Sequence, residues 1–106
     1  MSASKPWVPP KKFLVQEQTW ETVQTDELRG RLDGMCLPAQ CQIALSSALH
    51  PEAIGETWLH ELLHACWNMT SRRGTDEEQG QLEEAMVAGL APILWAALRR
   101  NRLRFD

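Results

Sequence analysis

The chemistry-bearing segment of this chain is Trp58-Leu-His60-Glu61-Leu-Leu-His64-Ala-Cys66. Two histidines four residues apart share one face of a helix, about 6 Å apart along its axis. Their imidazoles can converge on a single tetrahedral cation, each nitrogen about 2.0–2.1 Å from the ion. Glu61 follows the first histidine and is rotated by about 100° around the helix. It is too displaced to ligate the same ion and well placed to hydrogen-bond a water sitting on it. Such an ion lowers the pKa of its water from about 15.7 toward about 7 and polarises a carbonyl. A neighbouring carboxylate takes the water's proton and returns it to a leaving amine. The pattern therefore predicts metal-assisted hydrolysis with zinc-bound water, Glu61 being the catalytic base and His60 and His64 metal ligands. Two imidazoles and a carboxylate suit Zn2+ among the divalent ions.

A third protein ligand must come from another element, leaving one coordination position open. His50, the remaining histidine, stands before Pro51 at the start of the same helix and reads as a surface loop residue. Four glutamates lie on the next helical segment: Glu77, Glu78, Glu83 and Glu84. The first two fall in a polar first turn and are expected to face solvent. Glu84 is in register with Val87, Ala91, Leu94 and Leu98, a seam that can pack on a neighbouring helix, so it is the favoured ligand, with Glu83 next.

The elements that must position these groups follow from pattern. Ile54, Trp58, Leu59, Leu62, Leu63, Cys66 and Trp67 predict an apolar helix from Pro51 or Glu52 to about Met69, packed on two sides. Residues 70–76 form a polar connection. A second helix is predicted from Asp76 to about Arg100, with Leu82, Met86, Val87, Leu90, Ile93, Leu94 and Leu98 at helical spacing. Pro92 should kink or divide it. Upstream, Phe13–Val15 and Trp20–Val23 are short apolar runs, the preferred strand lying near 20–24. Thr25-Asp-Glu-Leu reads as a capped turn. Leu32–Leu37 and Cys41–Leu45 read as a hairpin turned by Pro38-Ala39-Gln40. The segment 1–12, with three prolines and three lysines, reads as a flexible N-terminal arm, and 13–106 as one domain.

Composition bounds the rest. The 106 residues are 43% hydrophobic and 24% charged, with a net charge of −3. This fits one soluble globular domain and argues against binding to a phosphate backbone, so nucleic acid is not an expected partner. Arg99, Arg100, Arg102 and Arg104 form a local exception, read as offsetting a helix C-terminus; the competing reading is a DNA-associated tail. No apolar run reaches the length of a membrane span. Three cysteines (Cys36, Cys41 and Cys66) without a secretory leader predict buried, reduced thiols and a cytoplasmic setting.

The segment Thr57-Trp-Leu-His60-Glu61-Leu-Leu-His64-Ala resembles the active-site helix of small zinc metallopeptidases. Glu84-Ala-Met-Val87-Ala-Gly-Leu90-Ala91 resembles the third-ligand segment of the ImmA/IrrE-type metallopeptidases. The layout of Gly34-Met-Cys36, Cys41-Gln-Ile43-Ala-Leu45 and Leu98-Arg-Arg-Asn101 looks closer still to short phage-encoded metallopeptidases. This resemblance, over roughly residues 20–102, implies an α+β, minimal zincin-like fold. A short antiparallel sheet would pack on the active-site helix, followed by a third-ligand helix. It implies peptide-bond hydrolysis of a peptide or protein substrate, with His60, His64 and Glu84 on zinc and Glu61 as base. Val87 and Leu90 stand where that family has Ala and Phe. The chain has no tyrosine, so the oxyanion would fall to the metal, a backbone N–H, His50 or Arg72. The rival within the same scaffold is a zinc-binding interaction or regulatory module without turnover.

Overall fold

A computed structural model describes residues 7–28, 32–69 and 77–101. Four strands precede two helices: β1 (Lys12–Val15), β2 (Gln18–Thr25), β3 (Gly34–Leu37), β4 (Gln42–Ser46), α1 (Ile54–Asn68) and α2 (Glu77–Arg100). The architecture is a small α+β domain with one sheet of order β1-β2-β4-β3.

The sheet is mixed, which corrects the antiparallel sheet expected from sequence. β1 pairs with β2 and β3 with β4 antiparallel, but β2 and β4 run parallel, with Thr22 opposite Ile43 and Gln24 opposite Leu45. The chain leaves β2, crosses to the far edge, descends as β3 and returns as β4 between β3 and β2. A parallel pair needs a long connection between its strands, and here β3 itself supplies the return. β4 is central, and Ile43, Ala44, Leu45 and Ser46 are all buried.

Two turns set the hairpins. The β3–β4 connection is a single 3-10 turn, Pro38–Ala39–Gln40, closed by Cys41 in the left-handed region at φ 51°. Pro38 pre-sets the first φ of that turn. The β1–β2 connection is two residues long, with Gln16 at φ 55°. Two-residue hairpins favour left-handed backbone because it matches strand twist, and they usually recruit Gly or Asn. Gln16 does the same work at a cost of about 1 kcal/mol.

A 3-10 turn, Pro51–Ala53, leads into α1, and the His50 Nδ1 accepts the Glu52 backbone N–H at 3.1 Å. That gives His50 a capping role. α1 lies between the sheet and α2, so both its faces are covered. Trp58 and Leu59 are each 2% exposed, and Trp58 joins Val15, Trp20, Ile43, Leu45 and Ala65 in the core. α2 packs on α1 through Val87 and Ala91. It runs unbroken through Pro92, so the predicted division does not occur. Pro92 and Ala88, whose carbonyl would have accepted its bond, are exposed, leaving that carbonyl to water.

The two helices approach closely where Gly55 meets Trp95. A Cβ on Gly55 would stand 1.9 Å from Trp95 Cζ2. Trp7 closes the same end, its ring centroid 5.4 Å from that of Trp58 and 5.0 Å from that of Trp95. Within the segment expected to be a flexible arm, Trp7 thus packs on the helices while Val8 is exposed; residues 1–6 lie outside the described residues. No helix among the described residues is long and apolar enough to cross a membrane.

Candidate metal centre

α1 and α2 run antiparallel, which brings the last turns of α1 against the first turns of α2. On α1, His60 and His64 project from one face, their ring centroids 5.0 Å apart. From α2, the Glu84 carboxylate reaches between them. One of its oxygens lies 3.3 Å from His60 Nε2 and the other 2.9 Å from His64 Nε2. Ligand atoms 2.0–2.1 Å from a tetrahedral ion stand about 3.3–3.4 Å from one another. The two carboxylate–imidazole distances approach that value, each to a different oxygen of Glu84. Among the described residues these three form the group whose ligand atoms converge, all within 4.8 Å of one another.

Glu83 takes a different position from the one weighed for it in the sequence. Its carboxylate lies 2.6 Å from His64 Nδ1, the nitrogen turned away from the cluster. With Nε2 facing a cation, Nδ1 carries the proton and donates it to Glu83, which fixes the tautomer and the ring plane. Adjacent residues of one helix thus serve in two layers, because a 100° step turns Glu83 behind the ring that Glu84 faces. Glu77 and Glu78 are exposed and away from the cluster.

Glu61 is buried, at 7% exposure, beside the two imidazoles. Burial pushes its pKa up; His60 and His64 oppose that shift, Glu84 adds to it, and a hydrogen bond from the Cys36 backbone N–H opposes it. The strand ladder explains that bond. Asp33 accepts from the Ser46 N–H across the β3–β4 pair, so in an antiparallel ladder residues 33, 35 and 37 address β4. Gly34 and Cys36 turn their backbone groups outward, toward α1. Gly34 allows the approach: a Cβ there would stand 3.0 Å from Thr57 Cγ2 and 3.2 Å from Glu61 Cγ.

These groups border a cleft of about 360 Å3 whose other wall is β3 with Leu32 and Pro38. Three carboxylates and two imidazoles meet there, and no lysine or arginine lines it among the described residues. Such a site favours a cation. His50 does not line the cleft, and Arg72 lies outside the described residues.

Cys36 is the cleft residue that the sequence reading assigned to packing. Its thiol is pushed up to about 12 by burial and by the carboxylates of Glu61 and Glu83, with Cys66 contributing. A thiol so firmly protonated is no nucleophile. All three cysteines are free; Cys36 and Cys41 are half-buried and Cys66 is exposed rather than buried. The strand period could have signalled Cys36, since it and Gly34 share one face of β3. At the other end of α2, Arg99 lies over the Trp95 ring, 5.7 Å from its centroid, while Arg102 and Arg104 lie outside the described residues.

No family model, curated protein or solved structure compared with this chain matches it.

Proposed function

We propose that the protein is a zinc-dependent peptidase, with His60, His64 and Glu84 as metal ligands and Glu61 as general base. The observation that carries this reading is the convergence of two imidazoles and one carboxylate, with ligand atoms within 4.8 Å of one another and a buried carboxylate beside them. A bound zinc ion would supply Lewis acidity, polarising the scissile carbonyl and acidifying water. Glu61 accepts the proton of the attacking water at its carboxylate and delivers it to the leaving amine. Its burial beside the two imidazoles keeps the carboxylate within reach of a water on the ion. The Cys36 N–H fixes the carboxylate's direction, and Glu83 fixes His64. A peptide substrate is favoured by β3, the sheet-edge strand that lines the cleft and turns alternate backbone groups away from β4, which suits an extended chain.

The test compares zinc-loaded parent and Glu61→Gln on a peptide library read by mass spectrometry. Cleavage by the parent and none by the variant, at equal zinc content, supports the reading. Cleavage that survives the substitution rejects Glu61 as base.

A second reading keeps the metal and drops the turnover: a zinc-binding interaction module. It is favoured by a cleft lining that contains no Tyr, Lys or Arg among the described residues, leaving a backbone N–H and the metal to carry an oxyanion. Zinc bound at full occupancy with no cleavage across the library is the outcome it expects.

A further inference from the structure

α2 carries two apolar faces, and the fold covers one. Val87 and Ala91, 3% and 1% exposed, face α1. Leu82, Met86, Leu90 and Ile93 are 48–70% exposed. At 100° per residue these four fall within an arc of about 80°, centred about 120° round the helix from Val87 and Ala91. Glu84 lies about 160° from the centre of that arc, so the stripe and the metal cluster occupy separate sides of one helix. Four large apolar side chains in line on an exposed helix are a contact surface rather than scattered surface residues.

The stripe is close to its own mirror in sequence order. Its spacing is 4, 4 and 3, so a copy laid antiparallel sets Leu82 against Ile93 and Met86 against Leu90, about a midpoint near residue 88. The flanking charges follow the same symmetry. Glu78 and Arg100, both exposed, lie within about 80° of the stripe's centre. They stand about 15 Å and 18 Å from the midpoint along the axis. Antiparallel pairing therefore brings Glu78 of each copy opposite Arg100 of the other. Parallel pairing sets like charges together. A surface that is complementary to itself under a two-fold rotation is what an isologous dimer requires.

We propose that α2 pairs antiparallel with α2 of a second copy of this chain. Leu82, Met86, Leu90 and Ile93 form the apolar centre, and Glu78 and Arg100 close the two ends. Each metal cluster then stays on the outer side of its helix, and both clefts remain open.

The test uses the full chain in sedimentation equilibrium over a concentration series. The expected mass is twice the 12.1 kDa of one chain. Leu90→Lys, at an exposed position that leaves the monomer fold intact by circular dichroism, weakens the dimer by about a hundredfold or more. Glu78→Lys and Arg100→Glu each weaken it by about three- to tenfold, and the two together in one chain restore it, because the swapped charges again meet opposites. A monomer at every concentration overturns the proposal, as does a dimer indifferent to Leu90→Lys. A double reversal weaker than either single one overturns the antiparallel register.

Discussion

The two ends of the α1–α2 pair are built from opposite materials. At one end Gly55 admits the Trp95 ring, with Trp58 and Trp7 stacked around it. At the other, the side chains of His60, His64, Glu83 and Glu84 meet one another directly. A helix pair held only by the second end would depend on ionisable groups that lose hydration as they meet. The aromatic end supplies buried area and fixes the register. The polar end is then free to be arranged for chemistry rather than for stability. The difference teaches that the packing which fixes the helix pair is separate from the proposed cation ligands: Trp95 is eleven residues from Glu84, about three turns and 16 Å along the axis.

This contrast can be broken in several ways. The largest effect is expected from Glu61→Gln, which should lower kcat by about 10²–10⁴-fold with zinc retained, measured by peptide hydrolysis beside metal analysis. Glu83→Gln leaves all three ligands in place and loosens only the His64 ring; zinc affinity should fall by about 10–100-fold in a chelator competition. Gly55→Ala probes the aromatic end. Alanine normally favours a helix over glycine by about 1 kcal/mol, yet here its Cβ overlaps Trp95. Thermal denaturation should show a net loss of about 1–3 kcal/mol, with zinc still bound by the folded fraction.

The smallest effect sharpens the polar end. Glu61 has its folded pKa raised above 4.5. Between the unfolded and folded values the native state binds more protons, so this group's contribution to stability falls as pH rises through that window. In zinc-free protein, Glu61→Gln should therefore raise Tm at neutral pH, and the gain should vanish as pH drops below the unfolded value.

Local pattern carried much of this arrangement. The spacing of His60 and His64, the bounds of both helices and the β3–β4 hairpin depend on residues close in sequence, and α2 ends at Arg100 as its periodicity predicts. The parallel β2–β4 pairing was not legible, because it joins segments about twenty residues apart with no local mark. The β1–β2 turn was missed because Gln16 lacks the Gly or Asn signature that its φ of 55° usually recruits. Periodicity also merged two faces of α2 into one: Leu82, Met86, Leu90 and Ile93 recur as regularly as Val87 and Ala91, and only the position of α1 separates them. In the site, the sequence ranked Glu83 as a spare ligand. Its place behind His64 follows from the helix crossing, which no single-helix pattern encodes.

Zinc stoichiometry, measured on folded parent, His64→Ala and Glu84→Ala, addresses the site most directly. One ion per parent chain and loss of it in both variants, with the helical circular dichroism unchanged, is the predicted result. A full complement of zinc in Glu84→Ala, or a parent that takes up none, contradicts a cation shared between these helices.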